Sequence, residues 1–133
     1  MIAKAQKRGV YDALILGDAT ALLERPPVAT FDLIVAADVL AYIGELAPLF
    51  GLVGAALVGS GLFAFSAETC EGQGFALGVS MRFAHSRAYL ETTARESNLS
   101  PLVFRSASIR RERGRDAPGV ICVFERVARQ TPA

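Results

Sequence analysis

Residues Phe31 to Ile43 read FDLIVAADVLAYI, and this stretch decides the fold class. The run Phe31 to Ala36 is apolar after Asp32, without the alternation of a half-exposed strand. It therefore reads as a strand buried on both faces, as in a parallel sheet. Ala37 and Asp38 follow as a polar-tipped loop. Open α/β sheets bind their ligands at this carboxyl end of a strand. No Gly-rich strand-to-helix turn precedes the stretch to cradle a nucleotide-like cofactor.

Working outward towards the amino end, Ala3 to Arg8 reads as a short helix, or the tail of a longer one, closed by Gly9. Ala13 to Leu16 is a short apolar strand. Asp18 caps a brief helix, Ala19 to Glu24, which Arg25-Pro26-Pro27 stops. Towards the carboxyl end, Glu45 to Leu57 reads as a helix. Leu46, Leu49, Phe50, Val53 and Leu57 form one apolar stripe, and Pro48 is tolerated in the first turn. The rest of that helix is almost all Gly and Ala, so it is expected to be covered on more than one side. Gly59-Ser60-Gly61 then turns the chain into a strand, Leu62 to Ser66.

Glu71 to Gly78 is a glycine-punctuated loop. Ser86 caps a helix running to about Ser97, and Asn98 suits its left-handed end. Leu102 to Ile109 and Gly119 to Arg126 are two more strands, joined as an antiparallel pair by an arginine-rich loop. Alternating strands and helices followed by a terminal strand pair define an α/β fold. Its sheet is expected to be mostly parallel with an antiparallel C-terminal edge strand.

Composition narrows the function classes. The 133 residues suffice for one domain, and 52% hydrophobic with 20% charged residues excludes disorder. A net charge of +1 implies no polyanionic partner. Arg105 to Arg115 holds five arginines against Glu112, but no aromatics interleave to stack bases. A solvated loop is expected there, and no nucleic acid. Cys70 and Cys122 lack metal or redox spacing and read as reduced thiols of a cytoplasmic protein. The charged start MIAKAQKRG is unlike a signal peptide. Leu46 to Phe65 is twenty residues without a charge, long enough to span a bilayer. Gly59-Ser60-Gly61 breaks it and no Lys or Arg flanks it, so no membrane span is expected. No metal-ligand spacing and no Ser-His-Asp arrangement is present.

These pieces, in this order, resemble the class I S-adenosylmethionine-dependent methyltransferases. More closely, they resemble a small bacterial group often fused to tetratricopeptide repeats. MIAKAQKRGVYD resembles the helix after the second strand, and LILGDAT the third strand with its acidic turn. FDLIVAADVLAYIGEL resembles the fourth strand and following turn. GSGLFAFSAE resembles the fifth strand with its preceding "PGG" turn, here Gly-Ser-Gly. RFAHSRAYLE and PGVICVFER resemble the late helix and last strand.

The resemblance spans the whole chain and implies one partial domain, residues 1–133, with a truncated Rossmann-like methyltransferase sheet. The first strand, its GxGxG turn and the acid ending the second strand have no counterpart here. The implied cofactor is S-adenosylmethionine, with binding and methyl transfer impaired or absent in this chain. The alternative is a non-catalytic oligomerisation or interaction module derived from the same fold.

The resemblance also assigns residues. Asp18 and Ala19 fall at the adenine, and Ala37 and Asp38 face the methionine end of the cofactor. His85 lies on the substrate side, where a base near neutral pH is conceivable. Plain structural roles stand beside these: Asp18 as a helix N-cap, Asp38 as a cap of the turn at Val39 to Ala41, the alanines as packing, and His85 as a surface or capping residue. Tyr42, Tyr89 and Phe75 either wall a pocket or fill the core. No catalytic residue is singled out. The family's strand order is 3-2-1-4-5-7-6, so losing strands one and two opens an edge beside Phe31 to Ala36. A homo-oligomer is expected, formed through the apolar helix 46–57 or that open edge.

Overall fold

A thirteen-residue strand, β2 (Leu57–Thr69), is the axis of the sheet. The computed structural model describes residues 2–11, 17–18, 23–24, 31–112 and 114–127. The expected strand Ala13 to Leu16, residue Ala19 and most of the Ala19 to Glu24 helix lie outside the described residues.

In chain order the elements are α1 (Ile2–Arg8), β1 (Phe31–Ala36), a 3-10 turn (Leu40–Tyr42), α2 (Ala47–Ala56), β2, β3 (Phe75–Leu77), β4 (Phe83–His85), α3 (Arg87–Glu96), β5 (Leu99–Glu112) and β6 (Arg115–Arg126). β1 runs parallel to β2 along one edge, and β4 pairs in parallel with Glu68 and Thr69 beyond it. β6 runs antiparallel along the other edge, with β5 antiparallel outside β6. β3 pairs antiparallel with β4. β1, β2, β4 and β5 thus share one direction, while β3 and β6 are reversed.

The fold is α/β, as the alternation implies, but the sheet is mixed. The reversed C-terminal strand β6 lies between β2 and β5, not at an edge. β5 and β6 are joined by a tight turn at Gly114 (φ 76°), and a hairpin can only be antiparallel. Its ladder runs out to Glu112 and Arg115, so most of the arginine segment is strand and not loop.

Three further expectations change. Gly59-Ser60-Gly61 lies within β2 as a bulge. The β1 register jumps there, from Phe31 opposite Leu57 to Leu33 opposite Leu62, and Ser60 takes φ 65°. A Cβ on Gly61 would sit 2.8 Å from the Val58 carbonyl oxygen, so a side chain has no room. The glycine-punctuated loop contains β3. And β1 is not buried on both faces: Leu33 is 54% and Val35 62% exposed, while Ala36 faces the core.

That core lies on one side of the sheet. Phe50 of α2 meets Phe63 and Phe65 of β2 at 5.5 Å between ring centres and Phe124 of β6 at 6.5 Å. Leu49, Val53, Leu90, Ala94, Leu99 and Cys122 close around them. Burial pushes the Cys122 thiol up to about 12. Gly54 allows α2 to press on the end of α3, where a Cβ would come within 2.5 Å of the Ser97 carbonyl oxygen. The α2 positions left exposed are Ala47, Pro48, Gly51 and Ala55, all short side chains. Leu49, Phe50 and Val53 of the helix go to the core, and Leu52 is half-buried. α3 forms as the sequence implies: Ser86 Oγ accepts from the Tyr89 N–H at 3.1 Å, and Asn98 takes φ 60° at the other end. No described helix is long and apolar enough to cross a membrane.

Candidate functional site at the carboxyl end of the first strand

β1 ends at the small, buried Ala36, and Ala37 and Asp38 are exposed beyond it. Asp38 takes φ 55°, a left-handed conformation that aspartate tolerates better than most residues. Its N–H donates to Ser66 Oγ on β2 at 3.1 Å, which pins the turn to the neighbouring strand. Its carboxylate accepts from Nη2 of Arg82.

Arg82 is the hub of this end of the sheet. Its Nε donates to Glu68 Oε2 at 2.6 Å, and its Nη1 lies 3.4 Å from the Tyr42 hydroxyl. Its guanidinium carbon stands 5.4 Å from the centre of the Tyr42 ring. The other Glu68 oxygen accepts from Arg110 of β5 at 3.0 Å, and Arg110 also reaches Ser80 Oγ at 3.4 Å. A chain of charges, Asp38–Arg82–Glu68–Arg110, thus ties the β1 turn to the β3–β4 connection and to β5.

Burial alone would raise the Glu68 carboxyl, but hydrogen bonds from Arg110 and Arg82 outweigh it and hold Glu68 below the usual carboxylate range. The hydrogen bond to Glu68, and then that to Asp38, holds Arg82 more firmly protonated. Asp38 is the exposed member, 63% against 12% for Glu68. Its half of the network is therefore the more easily exchanged for a ligand.

His85 does not face this site. It is fully buried, stacked on Tyr89, with Nε2 2.8 Å from the Ile43 carbonyl oxygen and 3.0 Å from that of Gly44. Two carbonyl acceptors place the proton on Nε2 and leave Nδ1 as an unpaired lone pair in the interior. Burial drives the ring toward its neutral form, against the pull of the two carbonyls. His85, the candidate on the substrate side, is thus held in the interior by two backbone carbonyls. Together with Tyr89, whose hydroxyl accepts from the Leu46 N–H at 2.8 Å, His85 holds the segment from Ile43 to Leu46. Tyr89 and Phe75 pack here, with rings 5.5 Å apart, while Tyr42 stands 67% exposed at the site.

Of the four cofactor candidates, Ala37 and Asp38 sit together at the strand end, Asp18 is exposed, and Ala19 lies outside the described residues. Arg82 and Glu68 were not foreseen. A signal existed: Arg82 is the first Lys or Arg after Arg25, in a stretch that contains Asp38 and Glu68. A cation isolated among acids in sequence is a natural hub once the strands align.

Solved structures share this arrangement of elements. A 1,6-didemethyltoxoflavin-N1-methyltransferase from Burkholderia thailandensis, solved with 1,6-didemethyltoxoflavin and S-adenosylhomocysteine, superposes with a TM-score of 0.73 at 14% identity. The match covers 96% of this chain and 56% of that one. The [4+2]-cyclase SpnF gives 0.76 at 13% identity, over 95% of this chain and 60% of that. An S-adenosylmethionine-dependent methyltransferase from Mesorhizobium loti gives 0.66 at 19% identity, over 95% and 76%. The chain thus spans little more than half the length of the Burkholderia enzyme. These likenesses establish a methyltransferase-like fold. No protein-family model and no curated protein sequence matches the chain.

Proposed function

We propose that this chain is a methyltransferase-like domain whose β1 turn belongs to a site for S-adenosylmethionine and a methyl acceptor, and that the chain binds the donor weakly or not at all. The observation that carries the reading is the Ala37-Asp38 turn. It sits at the carboxyl end of a parallel strand in a fold shared with methyltransferases, and Ser66 and Arg82 lock it in a left-handed conformation.

The residues present fit only part of that donor. Ala37 leaves backbone accessible, and Asp38 and Tyr42 offer a carboxylate and an exposed ring beside it. The positive-φ glycines of the described residues, Gly9, Gly72, Gly74 and Gly114, lie in loops and none opens a helix after a strand. Among the described residues no glycine turn cradles the methionine end, and Asp38 spends its charge on Arg82. No reaction step is therefore assigned. Methyl transfer depends chiefly on holding acceptor and sulfonium in line, and a site without its grip loses that advantage.

Isothermal titration with S-adenosylmethionine and S-adenosylhomocysteine tests the reading. Dissociation constants in the millimolar range or no heat are expected, with any residual binding lost in Asp38→Ala. Micromolar binding would contradict it. The alternative, a non-catalytic interaction module, is favoured by one observation, the uncovered second face of the sheet.

A further inference from the structure

The helices α2 and α3 cover one face of the sheet, and the face behind them is apolar too. Register places Leu33 and Val35 of β1, Leu62 and Ala64 of β2, Ile121 and Val123 of β6 and Val103 of β5 side by side on it. Leu33, Val35, Ile121 and Val103 are 54, 62, 48 and 39% exposed. Sheets with parallel strands in α/β folds are covered on both faces, and monomers rarely leave a continuous apolar patch of this kind bare.

We infer that this face is an interface for a second copy of the chain, packed sheet on sheet. Charge selects that occupant. Arg105 and Glu125 lie on this same face, and neither has an ion-pair partner among the described residues.

Glu125 and Ile121 stand two residues either side of Val123, and Arg105 pairs across from Ile121. A two-fold axis in the plane of contact, crossing the strands at Val123, lays the two β6 strands face to face and antiparallel. Glu125 of one copy then falls over Ile121 of the other, about 5 Å in strand spacing from its Arg105. The same pair forms twice by symmetry, and apolar surface meets apolar surface between them. At the carboxyl end, Glu68 is already neutralised by Arg82 and Arg110, so the contact traps no unpaired acid there. The interface does not depend on donor binding.

Size-exclusion chromatography with light scattering, from low to high micromolar protein, tests the proposal. The chain is expected to reach twice 14.1 kDa. Val35→Lys, at an exposed position that cannot disturb the core, is expected to weaken the dimer about tenfold or more with an unchanged circular dichroism spectrum. Arg105→Glu is expected to weaken it roughly tenfold, and adding Glu125→Arg to restore it. A monomer at every concentration overturns the proposal. So does a dimer indifferent to Val35→Lys, or one that the charge exchange fails to rescue.

Discussion

The two faces of the β-sheet carry similar side chains and meet different fates. On one, Phe63, Phe65 and Phe124 lie under Phe50 with almost no exposure. On the other, Leu33, Val35, Ile121 and Val103 lie open. The difference comes from what the chain between strands supplies. The segments before β2 and before β5 are helices long enough to lie across the sheet, and both land on the same side. The N-terminal helix α1 buries no residue. Hydrophobicity of a strand therefore reports that a face is meant to be covered, and not that this chain covers it.

The largest effect expected from breaking that comparison is on the covered face. Phe50→Ala removes the ring that three others pack against and should cost about 3–5 kcal/mol in chemical unfolding, enough to leave a small domain marginal. Gly44→Ala should cost about 1–3 kcal/mol, because its Cβ would come within 2.7 Å of the Phe75 ring and 2.9 Å of Phe83. Glu68→Gln should cost about 1–3 kcal/mol by removing the charge and one of the two oxygens that accept from Arg82 and Arg110. Val35→Ala on the bare face should change monomer stability by less than about 0.5 kcal/mol.

Acid sharpens the same contrast. The folded His85 titrates below its ordinary 6.5, so the unfolded chain takes up a proton first as pH falls. Its contribution is complete above about 6.5 and declines below it. Glu68, also lowered, adds a second loss as pH drops further through the carboxylate range. Denaturant melts between pH 7 and 5 should show falling stability, with a shallower slope in His85→Gln, while melts from pH 7 to 8 should be flat.

Much of the fold was legible. The apolar continuity of Phe31 to Ala36, the stripe of Leu49, Phe50 and Val53, the Ser86 cap and the Asn98 end each depend on near neighbours in sequence, and each is found where the pattern puts it. What was not legible depends on distant chain. Whether β1 is buried is decided by what packs behind it, and the sequence of β1 cannot report that. The position of β6 inside the sheet depends on its pairing with β2, more than fifty residues away in the chain. His85 read as a free titratable group because the Ile43 and Gly44 carbonyls that hold it are some forty residues away. The Asp38 turn was found from its place after a strand, while its Arg82 partner needed the fold.

Thiol labelling tests the asymmetry of the two faces most directly. In a Cys70→Ser background, Val35→Cys on the bare face is compared with native Cys122 on the covered one. The thiol introduced by Val35→Cys should react in dilute solution at close to the rate of an unfolded peptide and slow as protein concentration rises, while Cys122 should react only through global unfolding. Protection of the introduced thiol in dilute monomer, or a readily modified Cys122, would contradict the account.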